Sequence, residues 1–152
     1  MKIFSILLFS TLFVATAFSQ SNNYRYGDIS HENASLVTVT SSKFDKYQLK
    51  DFVRKGTKVI LGNELDRYDI KDIIRINPAL VTVHGTRFDR FDMKEFVRAG
   101  ACVLLTSKFD RIDTKEIIAV NPSLVTVIAT NFDKYAINEF IKAGAKVIIG
   151  EH

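Results

Sequence analysis

Leu80-Val81-Thr82-Val83-His84-Gly85-Thr86-Arg87-Phe88-Asp89-Arg90-Phe91-Asp92-Met93-Lys94-Glu95-Phe96-Val97-Arg98-Ala99-Gly100-Ala101 holds, in order, a β-type run, a helix-start signal, an amphipathic helix and a helix stop. The same order begins at Leu36, Lys58, Cys102 and Leu124, a period of 22 residues. A unit that small cannot bury its apolar face alone, and units at a fixed spacing build a core by stacking on one another.

Outward from this copy, the β-type runs are Leu36–Val39, Lys58–Leu61, Leu80–Val83, Cys102–Leu105, Leu124–Val127 and Lys146–Ile149. Their second and fourth positions are always Val, Leu or Ile, and residues two apart share a strand face, so that face is the expected core side. Strands separated by one helix in a repeating unit run parallel, with right-handed crossovers. Asp45, Asp66, Asp89, Asp110 and Asp133 stand where each helix begins, as N-caps whose carboxylates accept first-turn amides. Gln48, Asp69, Asp92 and Asp113, three residues later, are placed to bond back as a capping box. The Phe or Leu before each cap is placed to staple onto Leu49, Ile70, Met93 or Ile137. Stops alternate between Gly56, Gly100 and Gly144 in one class of unit and Asn77-Pro78 and Asn121-Pro122 in the other. Gly or Asn is expected to supply the left-handed residue that ends a helix, and Pro to forbid its continuation. The deeper repeat is therefore a 44-residue pair.

This pattern resembles, in architecture, the leucine-rich-repeat-like βα solenoids. The resemblance implies an α/β fold, a right-handed βα solenoid over 36–152 with about six short parallel strands on one face and five short helices on the other.

The first 19 residues, a lone early Lys2 and an apolar run ending in small residues, read as a removed signal peptide, placing the mature chain in the periplasm or outside the cell. Residues 20–35 align with a degenerate helical half-unit, Tyr24 opposite Tyr68, Asp28 opposite Asp72 and Asn33 opposite Asn77, and read as an N-terminal cap. Cys102 is the single cysteine, so no intrachain disulfide forms and stability rests on packing. The formal charge of +4 is too mild to imply nucleic acid, and nothing beyond the signal is long enough to span a membrane.

Two surfaces are candidates for function. The outward strand positions carry Leu36, Thr38, Lys58, Ile60, Leu80, Thr82, Cys102, Leu104, Leu124 and Thr126, an apolar face expected to take a protein partner or a second copy. The free edge of the last strand is a second route to a dimer. On the helices, Lys46, Tyr47, Arg67, Tyr68, Arg90, Phe91, Arg111, Lys134 and Tyr135 interleave cations with rings, as a binder of an anionic glycan or envelope polymer would. The same cations are placed to meet the acidic flank of the neighbouring helix in a charge ladder.

Catalysis is not expected. With equal strand registers, Cys102 and His84 stand four residues, about 13 Å, apart, too far for a thiol–imidazole dyad. His31 falls in the cap and His152 ends the chain, so no metal set has ligand spacing, and no phosphate-binding glycine loop marks a cofactor. The expectation is a non-catalytic interaction module, with a structural part in a secreted assembly as a further alternative.

Overall fold

The computed structural model describes residues 34–84 and 86–150, and only the backbone of Leu36. The expected signal and the cap as far as residue 33 lie outside the described residues. Six parallel strands, β1 (Thr38–Thr40), β2 (Lys58–Leu61), β3 (Val81–His84), β4 (Cys102–Leu105), β5 (Val125–Ile128) and β6 (Lys146–Ile148), form one sheet in chain order. Between them run five helices, α1 (Lys46–Arg54), α2 (Arg67–Ile74), α3 (Arg90–Arg98), α4 (Arg111–Ile118) and α5 (Lys134–Lys142).

The alternation of burial along the strands places the core. Val59, Leu61, Val83, Val103, Leu105 and Val127 are buried together with Phe52, Ile73, Phe96, Ile117 and Phe140 of the helices. Residues between them on each strand point to the opposite face, which no helix among the described residues covers. In three units the ring before the cap meets a ring of its own helix edge to face: Phe44 with Phe52 at 5.0 Å, Phe88 with Phe96 at 5.4 Å and Phe132 with Phe140 at 5.0 Å. The staple thus reaches two turns into the helix, beyond the first-turn residue expected to receive it.

The two stop signals work differently. Gly56, Gly100 and Gly144 have φ of 92°, 92° and 90°, the left-handed region that glycine enters without steric cost. Asn77 and Asn121, expected to do the same, have φ of −158° and −161°. They are extended and open 3₁₀ turns, Pro78–Leu80 and Pro122–Leu124, whose first residue is the proline. These turns take Leu80 and Leu124 out of the strands, so β3 and β5 begin one residue later than expected. Leu36 likewise falls in a turn, Ala34–Leu36, before β1.

Register follows from the turns. Thr38 lies opposite Lys58, Val59 opposite Val81, Thr82 opposite Cys102, Val103 opposite Val125, and Thr126 opposite Lys146. The steps are therefore 20, 22, 20, 22 and 20 residues. Two steps advance 42 residues against a sequence repeat of 44, so equivalent residues slide two places, about 7 Å, along the strands with each pair of units. One residue of stagger per strand is the shear that closed eight-stranded βα barrels show.

Candidate functional site

The stagger rearranges the uncovered strand face. Thr40, Ile60, Thr82 and Cys102 form one row across the sheet, and His84, Leu104, Thr126 and Lys146 the next. Thr38, Lys58 and Lys146 are exposed, and Ile60, Thr82, Cys102, Leu104 and Thr126 are half-buried by their neighbours. Leu80 and Leu124, expected here, pack instead against the core from their 3₁₀ turns. In their place the face gains His84 and Ile128, which equal registers had put beyond the strand ends. The Asn-Pro pairs, whose turns delay the next strand by one residue, were a sequence signal for that change. It also corrects a distance. Thr82 pairs with Cys102, and His84 is two places further on the same face, which makes the imidazole and the thiol diagonal neighbours about 8 Å apart at Cα.

The other candidate surface runs along the N-terminal ends of the helices. Each opening is fixed by its aspartate. Asp45 accepts from the amides of Tyr47 and Gln48, Asp66 from Tyr68 and Asp69, Asp89 from Phe91 and Asp92, Asp110 from Asp113, and Asp133 from Ala136. Only Gln48 returns the bond, to the Asp45 amide at 3.0 Å. Asp69, Asp92 and Asp113, expected to do likewise, turn to the preceding helix. Lys46 meets Asp69 at 2.9 Å, Arg67 meets Asp92 at 3.6 Å and Arg90 meets Asp113 at 2.7 Å.

A second rung runs beside the first. Lys50 pairs with Asp72 at 3.2 Å, Lys71 with Glu95, Lys94 with Glu116 at 3.1 Å and Lys115 with Glu139 at 3.4 Å. Arg111 finds Ala136 where α2, α3 and α4 hold Asp, and grips Glu139 with two nitrogens at 3.0 and 2.7 Å. These contacts hold Asp72, Glu95 and Glu139 below the ordinary carboxylate range, chiefly through hydrogen bonds from Lys50, Lys71 and Arg111. Hydrogen bonds to the carboxylates of Asp69, Asp113 and Glu139 likewise raise Lys46, Arg90 and Arg111. Most cations expected to attract an anionic polymer thus already have an internal partner.

The side chains beside them stay exposed all the same. The second position of every helix carries a large apolar side chain left in water: Tyr47 (70% exposed), Tyr68 (63%), Phe91 (60%), Ile112 (66%) and Tyr135 (76%). Capping uses only the backbone amide at this position, so nothing in the cap requires a ring there. Lys46, Arg67 and Arg90 lie over the rings that follow them, 5.6, 4.9 and 4.8 Å from the centroids. Shallow grooves open between these ridges. One, about 250 Å³, is lined by Arg67, Tyr68, Arg87 and Asp92 among others, and another, about 580 Å³, by Arg111, Tyr135, Asn138 and Lys142. The loops above them brace each other, the Asn63 carboxamide accepting from the Arg87 amide at 2.9 Å and donating to Thr86.

Among the described residues no cluster of His, Cys, Asp and Glu is placed to hold a metal ion, and no helix is long and apolar enough to cross a membrane. The fold and this rim define a class: a parallel α/β protein of repeated βα units with an exposed apolar ridge along its helix starts. No protein-family model matches the chain, and no curated protein does.

Proposed function

We propose that the protein is an exported, non-catalytic βα solenoid that binds an extended glycan along the ridge Tyr47, Tyr68, Phe91, Ile112 and Tyr135. The observation that carries this reading is the exposure of a large apolar side chain at the same position of all five helices, 60–76% in water where neither cap nor core needs it. Flat rings separated by polar grooves suit sugar rings, whose faces are apolar and whose edges carry hydroxyls. The charges of the Arg and Lys side chains beside the rings are largely matched already by Asp and Glu. Stacking, rather than charge, is therefore the main source of affinity. A protein partner or second copy on the strand face ranks second, because that face has lost Leu80 and Leu124 and holds four threonines.

Cosedimentation of the full chain, as the cell processes it, with insoluble cellulose, chitin and peptidoglycan tests the reading. Retention on one of these polymers is expected, with little loss at high salt. The triple variant Tyr47→Ala, Tyr68→Ala, Tyr135→Ala should lose that retention with its circular dichroism unchanged. Equal retention by the variant, or none by the wild type, overturns the reading.

A further inference from the structure

The C-terminal end of the sheet differs from every interior junction. Ile141 (51% exposed) takes the helix position of Val53 (2%) and Val97 (1%), and Ile149 (66%) the strand position of Leu61 and Leu105, both fully buried. Ile148 beside them is 52% exposed, and among the described residues β6 pairs on one side only, with β5. Side chains that interior units bury against the next unit stand in water here, next to an open strand edge.

The charge pattern changes at the same place. The fifth residue of α1 to α4 is lysine, Lys50, Lys71, Lys94 and Lys115, and each reaches a carboxylate on the following helix. In α5 that residue is Asn138, the middle of a nine-residue helix. A two-fold axis through the free edge of β6, normal to the sheet, pairs β6 antiparallel with its copy and lays α5 antiparallel beside its copy on the same face. The middle of α5 then meets itself. Lysine there would oppose lysine, whereas an asparagine carboxamide both donates and accepts and so can bond its own counterpart. A head-to-tail copy would instead bring Asn138 toward Asp51 of α1, the carboxylate position that lysine serves at every interior junction, and α5 has given that lysine up.

We propose that the α5–β6 end binds the same end of a second copy, joining two six-stranded sheets into one. Ile141, Ile148 and Ile149 form its apolar centre. Lys134 of one copy and Lys142 of the other, at opposite ends of α5, approach each other only at the wet rim, so added salt relieves rather than weakens the contact.

Light scattering and sedimentation of the full chain, over a range of concentrations at low and high salt, test this. A concentration-dependent mass of twice the monomer, undiminished by salt, is expected. Asn138→Lys and Ile141→Lys, both at the outer flank of α5, should each raise the dissociation constant at least about tenfold with unchanged circular dichroism. Asn138→Gln should retain the dimer. A monomer at all concentrations, a ladder of masses marking head-to-tail growth, a dimer dissolved by salt, or one indifferent to Asn138→Lys each overturns the proposal. Ile141→Lys, which lies outside the groove lined by Tyr135 and Asn138, separates this contact from glycan retention.

Discussion

The two classes of unit do the same job with different means, and the difference sets the shape of the sheet. Each of β1 to β5 is followed by five residues before its α-helix. On the way back, α1, α3 and α5 have nine residues and need three more to reach the next strand, because a left-handed glycine reverses the chain sharply. Helices α2 and α4 have eight, and the asparagine–proline 3₁₀ turn adds six. The glycine crossovers are therefore two residues shorter, and this shortfall is the whole of the stagger between neighbouring pairs. If both classes used the proline turn, equivalent residues would face one another across the sheet and His84 would not share rows with Leu104 and Thr126.

The classes also differ in their cores, and the largest expected effect tests that. Phe96 of a glycine unit is fully buried and meets Phe88 edge to face, whereas Ile117 fills the same position in a proline unit. Phe96→Ala should cost about 3–5 kcal/mol by denaturant unfolding, the aromatic contact adding to the cavity. Ile117→Ala should fall at the low end of about 2–5 kcal/mol. Equal costs would mean that the ring pairs add nothing beyond volume.

Much of this was legible in the sequence, and what was not has a common cause. The period, the cap aspartates, the core side of the strands and the parallel sheet of six strands with five helices all follow from local pattern, since each is decided within one unit. Leu80, Leu124 and the Cys102–His84 separation were misread because register is decided between units. There a 3₁₀ turn that delays a strand by one residue moves every later side chain to a new neighbour. Asp69, Asp92 and Asp113 were read as closing capping boxes because a carboxylate three residues after a cap has that option locally. The stacked helix supplies a cation, and charge-assisted pairing wins over a bond to a neutral amide. The exposed ridge was visible in the sequence only as rings interleaved with cations; that the cations are spent on carboxylates of the next helix depended on how the units stack.

The next comparison concerns the turns themselves, which touch. A Cβ on Gly100 would lie 3.2 Å from Cβ of Pro78, so the glycine turn of one unit nests on the proline turn of the unit before it. A Cβ on Gly56 would meet no atom of the described residues within 4 Å. Both glycines have φ of 92°, so Gly56→Ala carries backbone strain alone, about 1–2 kcal/mol. Gly100→Ala should cost more, about 2–3 kcal/mol, with the excess reduced in the double variant with Pro78→Ala. Thermal unfolding of the four proteins measures this coupling, and additive costs would show that the two turns only lie near each other.

The smallest effect should ignore the classes altogether. Asp72 belongs to a proline unit and Glu95 and Glu139 to glycine units, yet all three are held below the ordinary carboxylate range by a cation from the preceding helix. A carboxylate whose folded pKa is depressed binds fewer protons folded than unfolded. Its stabilisation is complete above the unfolded value and is lost as pH falls through the folded one. Melting temperature should therefore hold steady from neutral pH down to the ordinary carboxylate range and decline below it. Because the pairs are exposed, each contributes modestly, and salt should flatten the decline. Asp72→Asn and Glu95→Gln should shallow the acid limb to the same degree. A marked difference between them would mean that the ladder is graded by unit class, and that the crossover lengths set the charges as well as the strands.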